Sequence, residues 1–239
     1  VLAGVAACLD EMCRGDEGSW GVAESGMLAG IWPSWSGAQG LDAAHRLQEQ
    51  VLQRTGRTVT IGVASHPTLD YPPAAVLENA RKAAEHAAFF GAGSRAVFDA
   101  VSLNISGDKY YERGDVPNAI REFELALRLD PQNGNVHNSL GVCYGELGDH
   151  ERALEAFGRA LSVDGGDYMA VYNTGLIHEL RGEREQALEH FLKACTLHGD
   201  VFEILFQTGK LRLEMGDSQA ARPLLERAVR LRPRSGNSQ

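Results

Sequence analysis

The sequence has no apolar run of the roughly 18 residues that a bilayer-spanning helix needs, and it has no basic segment. Acidic residues outnumber basic ones, 32 against 23, and the excess is shared: residues 1–99 carry 7 Lys/Arg and 11 Asp/Glu, residues 100–239 carry 16 and 21. Neither part offers the cationic face that nucleic acid or an anionic membrane requires, so nucleic-acid binding and membrane insertion are not expected. Cysteine is scarce, and Cys8, Cys13, Cys143 and Cys195 form no CxxC pair and no Cys/His ligand spacing. All four lie in apolar helical patterns and read as reduced core cysteines of a reducing compartment, here the cytoplasm. The eight histidines show no metal-ligand pattern, and spacing supports neither a Ser/His/Asp set nor a phosphate-cradling glycine loop. No cofactor or metal is expected. A signal peptide is also lacking, and the chain opens at Val1 in mid-helix pattern, which reads as a fragment of a longer protein.

Glycine, by contrast, is plentiful and periodic. Gly107, Gly141, Gly175 and Gly209 recur every 34 residues, and so do Gly114, Gly148, Gly182 and Gly216. Two alanine series keep the same register, Ala119/Ala153/Ala187/Ala221 and Ala126/Ala160/Ala194/Ala228, with Phe123/Phe157/Phe191/Leu225 between them. A period of this length marks a solenoid of small helical units. Each class has a physical reason. A small residue late in a first helix lets a second helix approach closely, and the glycine ending that helix can take a positive φ. Asp115, Asp149, Glu183 and Asp217 follow, where an acidic residue suits the start of the next helix. The alanines and Phe/Leu recur at i, i+4 and i+7 and form one apolar stripe on the second helix. Pro131 and Pro233 break the chain between repeats.

These stretches, with Asn138-Ser139-Leu140-Gly141 through Tyr144 and Leu127-x-Leu129-x-Pro131, resemble the tetratricopeptide repeat (TPR) family over residues 100–235. The departures are Gly165 and Gly199, where the terminal proline is usual, and Pro223, which sits inside the last helix and removes one backbone hydrogen bond. The resemblance implies an all-α solenoid of four repeats, 100–133, 134–167, 168–201 and 202–235, with a tail at 236–239. It also implies that the first helices line a concave, peptide-binding surface. Carried over, that surface holds Asn104, Asp108, Asn135, Asn138, Val142, Met169, Tyr172, Leu176, Glu179, Phe206 and Lys210. Lys210 is its one basic residue, so a clamp for a C-terminal carboxylate is not expected. Asparagine amides beside apolar side chains suit an extended peptide.

Residues 1–99 follow another rhythm: helix (Leu2 to Met12), paired strands (Ser19–Ala23 and Met27–Trp32), helix (Ala38–Arg54), a β-rich run at 58–64, helix (Ala74–Phe90) and a last strand (Arg95–Phe98). Strands alternating with helices predict an α+β layer. With Thr58-Val-Thr-Ile-Gly-Val-Ala and the alanine-rich helix through Ala80, Ala83 and Ala87 to Gly91, this order resembles the C-terminal part of a diguanylate cyclase (GGDEF) domain. The resemblance places the signature turn on Ala23-Glu24-Ser25-Gly26-Met27, where Ser25-Gly26 replace the acidic pair that holds the metal. Ala87-Ala88 replace the family's Ala-Lys, and its first strand lies outside this chain. Without those carboxylates two-metal phosphoryl transfer cannot run, so a catalytically dead domain is expected. Arg14-Gly15-Asp16-Glu17 precedes the turn at the spacing of the family's RxxD inhibitory site, which makes Arg14 and Glu17 a nucleotide-binding remnant on this reading.

The sequence therefore predicts a partial α+β layer at 1–99 joined to a TPR solenoid. Its expected role is a non-catalytic bacterial signalling adaptor that binds a protein or peptide partner. A cyclic di-GMP receptor and an active cyclase are the alternative readings. Self-association through an uncapped last helix or an open sheet edge is a further expectation.

Overall fold

The computed structural model describes residues 1–15, 17–24 and 26–231. Among them the chain is mostly helical, with eleven α-helices and four short strands, and it divides into two compact units, Val1–Asp130 and Pro131–Gln239. Ser25 of the signature turn, Asp16 of the RxxD-like stretch, and Pro233 with the tail lie outside the described residues. No helix among those described is long and apolar enough to cross a membrane.

The first unit opens with α1 (Leu2–Gly15), then β1 (Ser19–Glu24) and β2 (Met27–Ile31), which form an antiparallel hairpin pairing Ser19 with Ile31. α2 (Gly37–Thr55) follows. Ser36 and Gln39 close a capping box at its start, and Gly56, at φ 64°, ends it in the left-handed region. β3 (Ile61–Val63) pairs in parallel with β4 (Arg95–Val97), and the crossover that parallel pairing demands is supplied by α3 (Val76–Ala88). Val5, Cys8, Leu9, Leu47 and Val51 form the core between α1 and α2, with Met12, Trp20, Leu28, Trp32, Val59 and Ile61 packed against it.

The expected strand at 58–64 is shorter than the β-rich composition predicts. β4 offers only three partners, and the buried side chain of Gln48 takes over what lies before them. Its Nε2 is 2.9 Å from the Val59 carbonyl, 2.9 Å from that of Gly93 and 3.0 Å from that of Ser94. The two hydrogens of this amide are shared among the three carbonyls, and the Ser94 carbonyl also accepts the Ile61 N–H at 3.0 Å.

Two more helices complete this unit, α4 (Ala100–Glu112) and α5 (Val116–Leu129). Asp99 caps α4 through a capping box with Ser102. The pair is tied to α3 by ions as well as by packing. Lys82 Nζ lies 2.7 and 2.6 Å from the two carboxylate oxygens of Glu122, with the side chains only 6% and 10% exposed. Lys109 bonds Glu85 at 2.7 Å, and Arg128 bonds Asp70 at 2.5 Å.

The second unit consists of three helical hairpins: α6 (Gly134–Glu146) with α7 (His150–Val163), α8 (Tyr168–Leu180) with α9 (Arg184–Leu197), and α10 (Phe202–Glu214) with α11 (Ser218–Leu231). Each hairpin stacks on the next, α7 against α8 and α9 against α10, while α6 also touches α8. The periodic residues do what their types predict. A Cβ on Gly141 would meet the Phe157 ring at 2.5–2.9 Å, and one on Gly175 would meet Phe191 at 2.6–2.7 Å. Gly148, Gly182 and Gly216 turn the chain at φ 75°, 76° and 87°. Asp149 and Asp217 cap α7 and α11 through their side chains. Glu183 does not cap α9. Its longer side chain turns back to His178 Nδ1 at 2.6 Å and Arg181 Nε at 2.9 Å.

Candidate peptide-binding groove

Helical periodicity sets Met169, Tyr172, Leu176 and Glu179 on one face of α8. A step of 34 residues carries that face to Asn135, Asn138 and Val142 on α6 and to Phe206 and Lys210 on α10. Hydrogen bonds join the three first helices along this face. Asn173 Nδ2 donates to Asn138 Oδ1 at 3.0 Å, and Gln207 Nε2 donates to Glu179 Oε2 at 2.6 Å. The face exposes large apolar side chains: Met169 is 42% and Phe206 44% open to solvent. Phe206 stacks on Phe202 at 5.7 Å. Tyr172 is half-buried, its ring 5.5 Å from that of Phe191, so it belongs partly to the core. Val142 and Leu176 are half-buried and Asn135 is exposed.

Two exposed leucines on these helices, Leu180 and Leu213, escaped the sequence reading. So did the exposed carboxylate of Glu203. The signal was present, because Glu203 and Leu213 stand 34 residues after Met169 and Glu179. Burial, and after it the carboxylates of Glu203 and Glu179, push the Tyr172 phenol above its ordinary value. Lys210 Nζ sits 3.4 Å from Glu179 and 3.8 Å from Glu214, so the basic residue expected here is matched by acids of the same face.

The remaining candidates belong to the first unit. Asn104 and Asp108 lie half-buried on α4. Asn104 Oδ1 is buried without a hydrogen-bond partner, and burial followed by the charge of Glu112 raises the Asp108 carboxyl. Arg14 is exposed at the end of α1, and Glu17, beyond it, has a φ of 50°. The β1–β2 turn carries Glu24 and Gly26, the latter at φ 82°. Among the described residues no group of three or more His, Cys, Asp or Glu side chains is placed to hold a metal. The four cysteines are all thiols.

Three family models match the chain: a TPR repeat over residues 107–148 and tetratricopeptide repeats over 134–167 and 203–235. Tyr168–Leu197, between the last two, has the same hairpin geometry and the same glycine-to-phenylalanine contact. Solved structures share the fold. A crystal structure of MamA is 20% identical with a TM-score of 0.51, covering 55% of this chain and 77% of its own. A second MamA structure is 17% identical with a TM-score of 0.50, covering 81% and 84%. The pilF protein of Pseudomonas aeruginosa is 24% identical with a TM-score of 0.52, covering 56% and 61%. At these identities the likeness is one of fold alone. No curated protein matches the sequence. Period, hairpin geometry and model matches agree that residues 107–167 and 203–235 are tetratricopeptide repeats.

Proposed function

We propose that the chain is a non-catalytic adaptor whose second unit holds an extended segment of a partner protein against α6, α8 and α10. The observation that carries this is the row of solvent-facing apolar side chains, Met169, Phe206 and Leu213, on first helices whose neighbouring turns are otherwise well packed. Exposed apolar rows beside hydrogen-bonding amides are the usual make-up of a peptide site. On the same reading residues 1–99 are a vestigial cyclase-like layer, and the protein is a cytoplasmic signalling component of bacteria. The replacement of the acidic pair by Ser25-Gly26 supports the loss of catalysis.

Site-specific photocrosslinking tests the groove. A benzophenone side chain at Met169 or Phe206 is expected to capture a partner, and one at Glu151 or Glu185 on the second helices is not. The reverse pattern places the interaction elsewhere. Phe206→Ala is the cleaner truncation, since Tyr172→Ala also removes packing against Phe191. It should weaken partner binding by about 2 kcal/mol, the size of a hot-spot side chain, with helicity unchanged by circular dichroism.

A further inference from the structure

The charged residues of the groove are mostly acidic. Beside its apolar row, α6 and α10 present the exposed Glu146, Glu203 and Glu214, and α8 the half-buried Glu179. Lys210 is held between Glu179 and Glu214. Glu146 and Glu203 have no ion pair among the described residues. Glu203 and Glu214 stand eleven residues, about 16 Å, apart along α10, and Glu146 ends α6 with α8 between, so beyond the roughly 8 Å of physiological screening each carboxylate acts on the part of a chain laid over it. The raised phenol of Tyr172 reports the same field from within the groove, after the contribution of burial. A segment that buries apolar side chains here sets its other groove-facing side chains beside acids. Lysine and arginine are favoured there, whereas Asp, Glu or a terminal carboxylate meets like charge.

We propose that the groove selects an extended partner segment that combines large apolar residues with Lys or Arg on its groove-facing side, and that it rejects acidic segments. This rests on the peptide-binding reading above and adds the partner's chemistry to it.

The test is selection of a randomised peptide-display library on the full chain, followed by anisotropy titration of the recovered peptides. The expected consensus joins Phe, Leu or Met with Lys or Arg. Replacing the basic positions of a recovered peptide by Gln should weaken binding about tenfold, and added salt should narrow that gap. The Glu146→Lys/Glu203→Lys variant should shift the consensus towards acidic residues. Glu151→Lys/Glu185→Lys, with the same change in net charge on exposed sites of α7 and α9, should leave it basic. All four positions are exposed, and circular dichroism checks that each variant folds. A neutral or acidic consensus from the parent, or one that follows net charge equally in both variants, overturns the proposal. If such peptides still lose affinity in Phe206→Ala, the groove reading survives without its charge preference. No enriched peptide, or peptides indifferent to Phe206→Ala, overturns the groove reading itself and this inference with it.

Discussion

At the scale of single residues, the repeat is held by contacts that leave no room for another methyl group. Gly141→Val puts atoms where the Phe157 ring already lies and should destabilise the second unit by about 1–3 kcal/mol, the usual range for overpacking, read as a lower denaturation midpoint. Gly158, midway along α7, has nothing within 4 Å of a Cβ position. Gly158→Ala should therefore stabilise by about 0.5–1 kcal/mol through the unfolded chain and helix propensity. Histidine gives a pH dependence. His190 stacks on His178 at 5.2 Å, near Glu183, Glu189 and Lys193, and burial, then His178, lowers its pKa from the ordinary 6.5. The folded state resists a proton that the unfolded state accepts, so stability should fall as the pH drops below about 6.5 towards the depressed folded value. His190→Leu should flatten that part of the stability–pH curve, leaving the carboxylate-driven loss at lower pH. An unchanged slope between pH 7 and 5 in this variant would remove the assignment.

Among elements, the attachment of the α4–α5 hairpin to α3 stands out chemically. Lys82 and Glu122 are both removed from water, so each stands in for the hydration the other has lost. Glu122→Ala leaves a buried ammonium alone and should destabilise the first unit by about 3–5 kcal/mol. A Lys82→Met/Glu122→Leu double variant should recover most of that loss, because neither charge remains to be desolvated. Chemical denaturation of the three proteins checks this. Equal destabilisation by the single and double changes would show that packing, not charge, joins the hairpin to α3. The β3–β4 pair teaches a related lesson. Thr58-Val59-Thr60 has strand composition, yet it stays outside the ladder, and its Val59 carbonyl bonds the buried amide of Gln48 on α2 instead.

For the whole molecule, the cyclase-like reading predicts that the chain makes no cyclic di-GMP from GTP with Mg²⁺ or Mn²⁺. Product that disappears in Glu24→Ala would sink the expectation of a catalytically dead domain. The last helix, α11, exposes Val229 at 72% while Leu224 is half-buried. If self-association uses this face, Val229→Glu should lower the mass seen by light scattering at high concentration, and a parent that stays monomeric removes the idea. The helical hairpins and their turns were legible in the sequence. Gly107, Phe123 and their successors at intervals of 34 each serve a local contact between adjacent helices, and local contacts repeat when the sequence does. Exposed residues that vary between repeats, such as Glu203 and Leu213, were harder to see because a surface open to solvent imposes no residue type. The Lys82–Glu122 pair and the reach of Gln48 to Gly93 and Ser94 follow no period. Their partners are 40 to 46 residues apart and meet only once the layers have packed, because a buried charge or amide is matched by whatever the fold brings within hydrogen-bond reach, so the tertiary structure alone decided them.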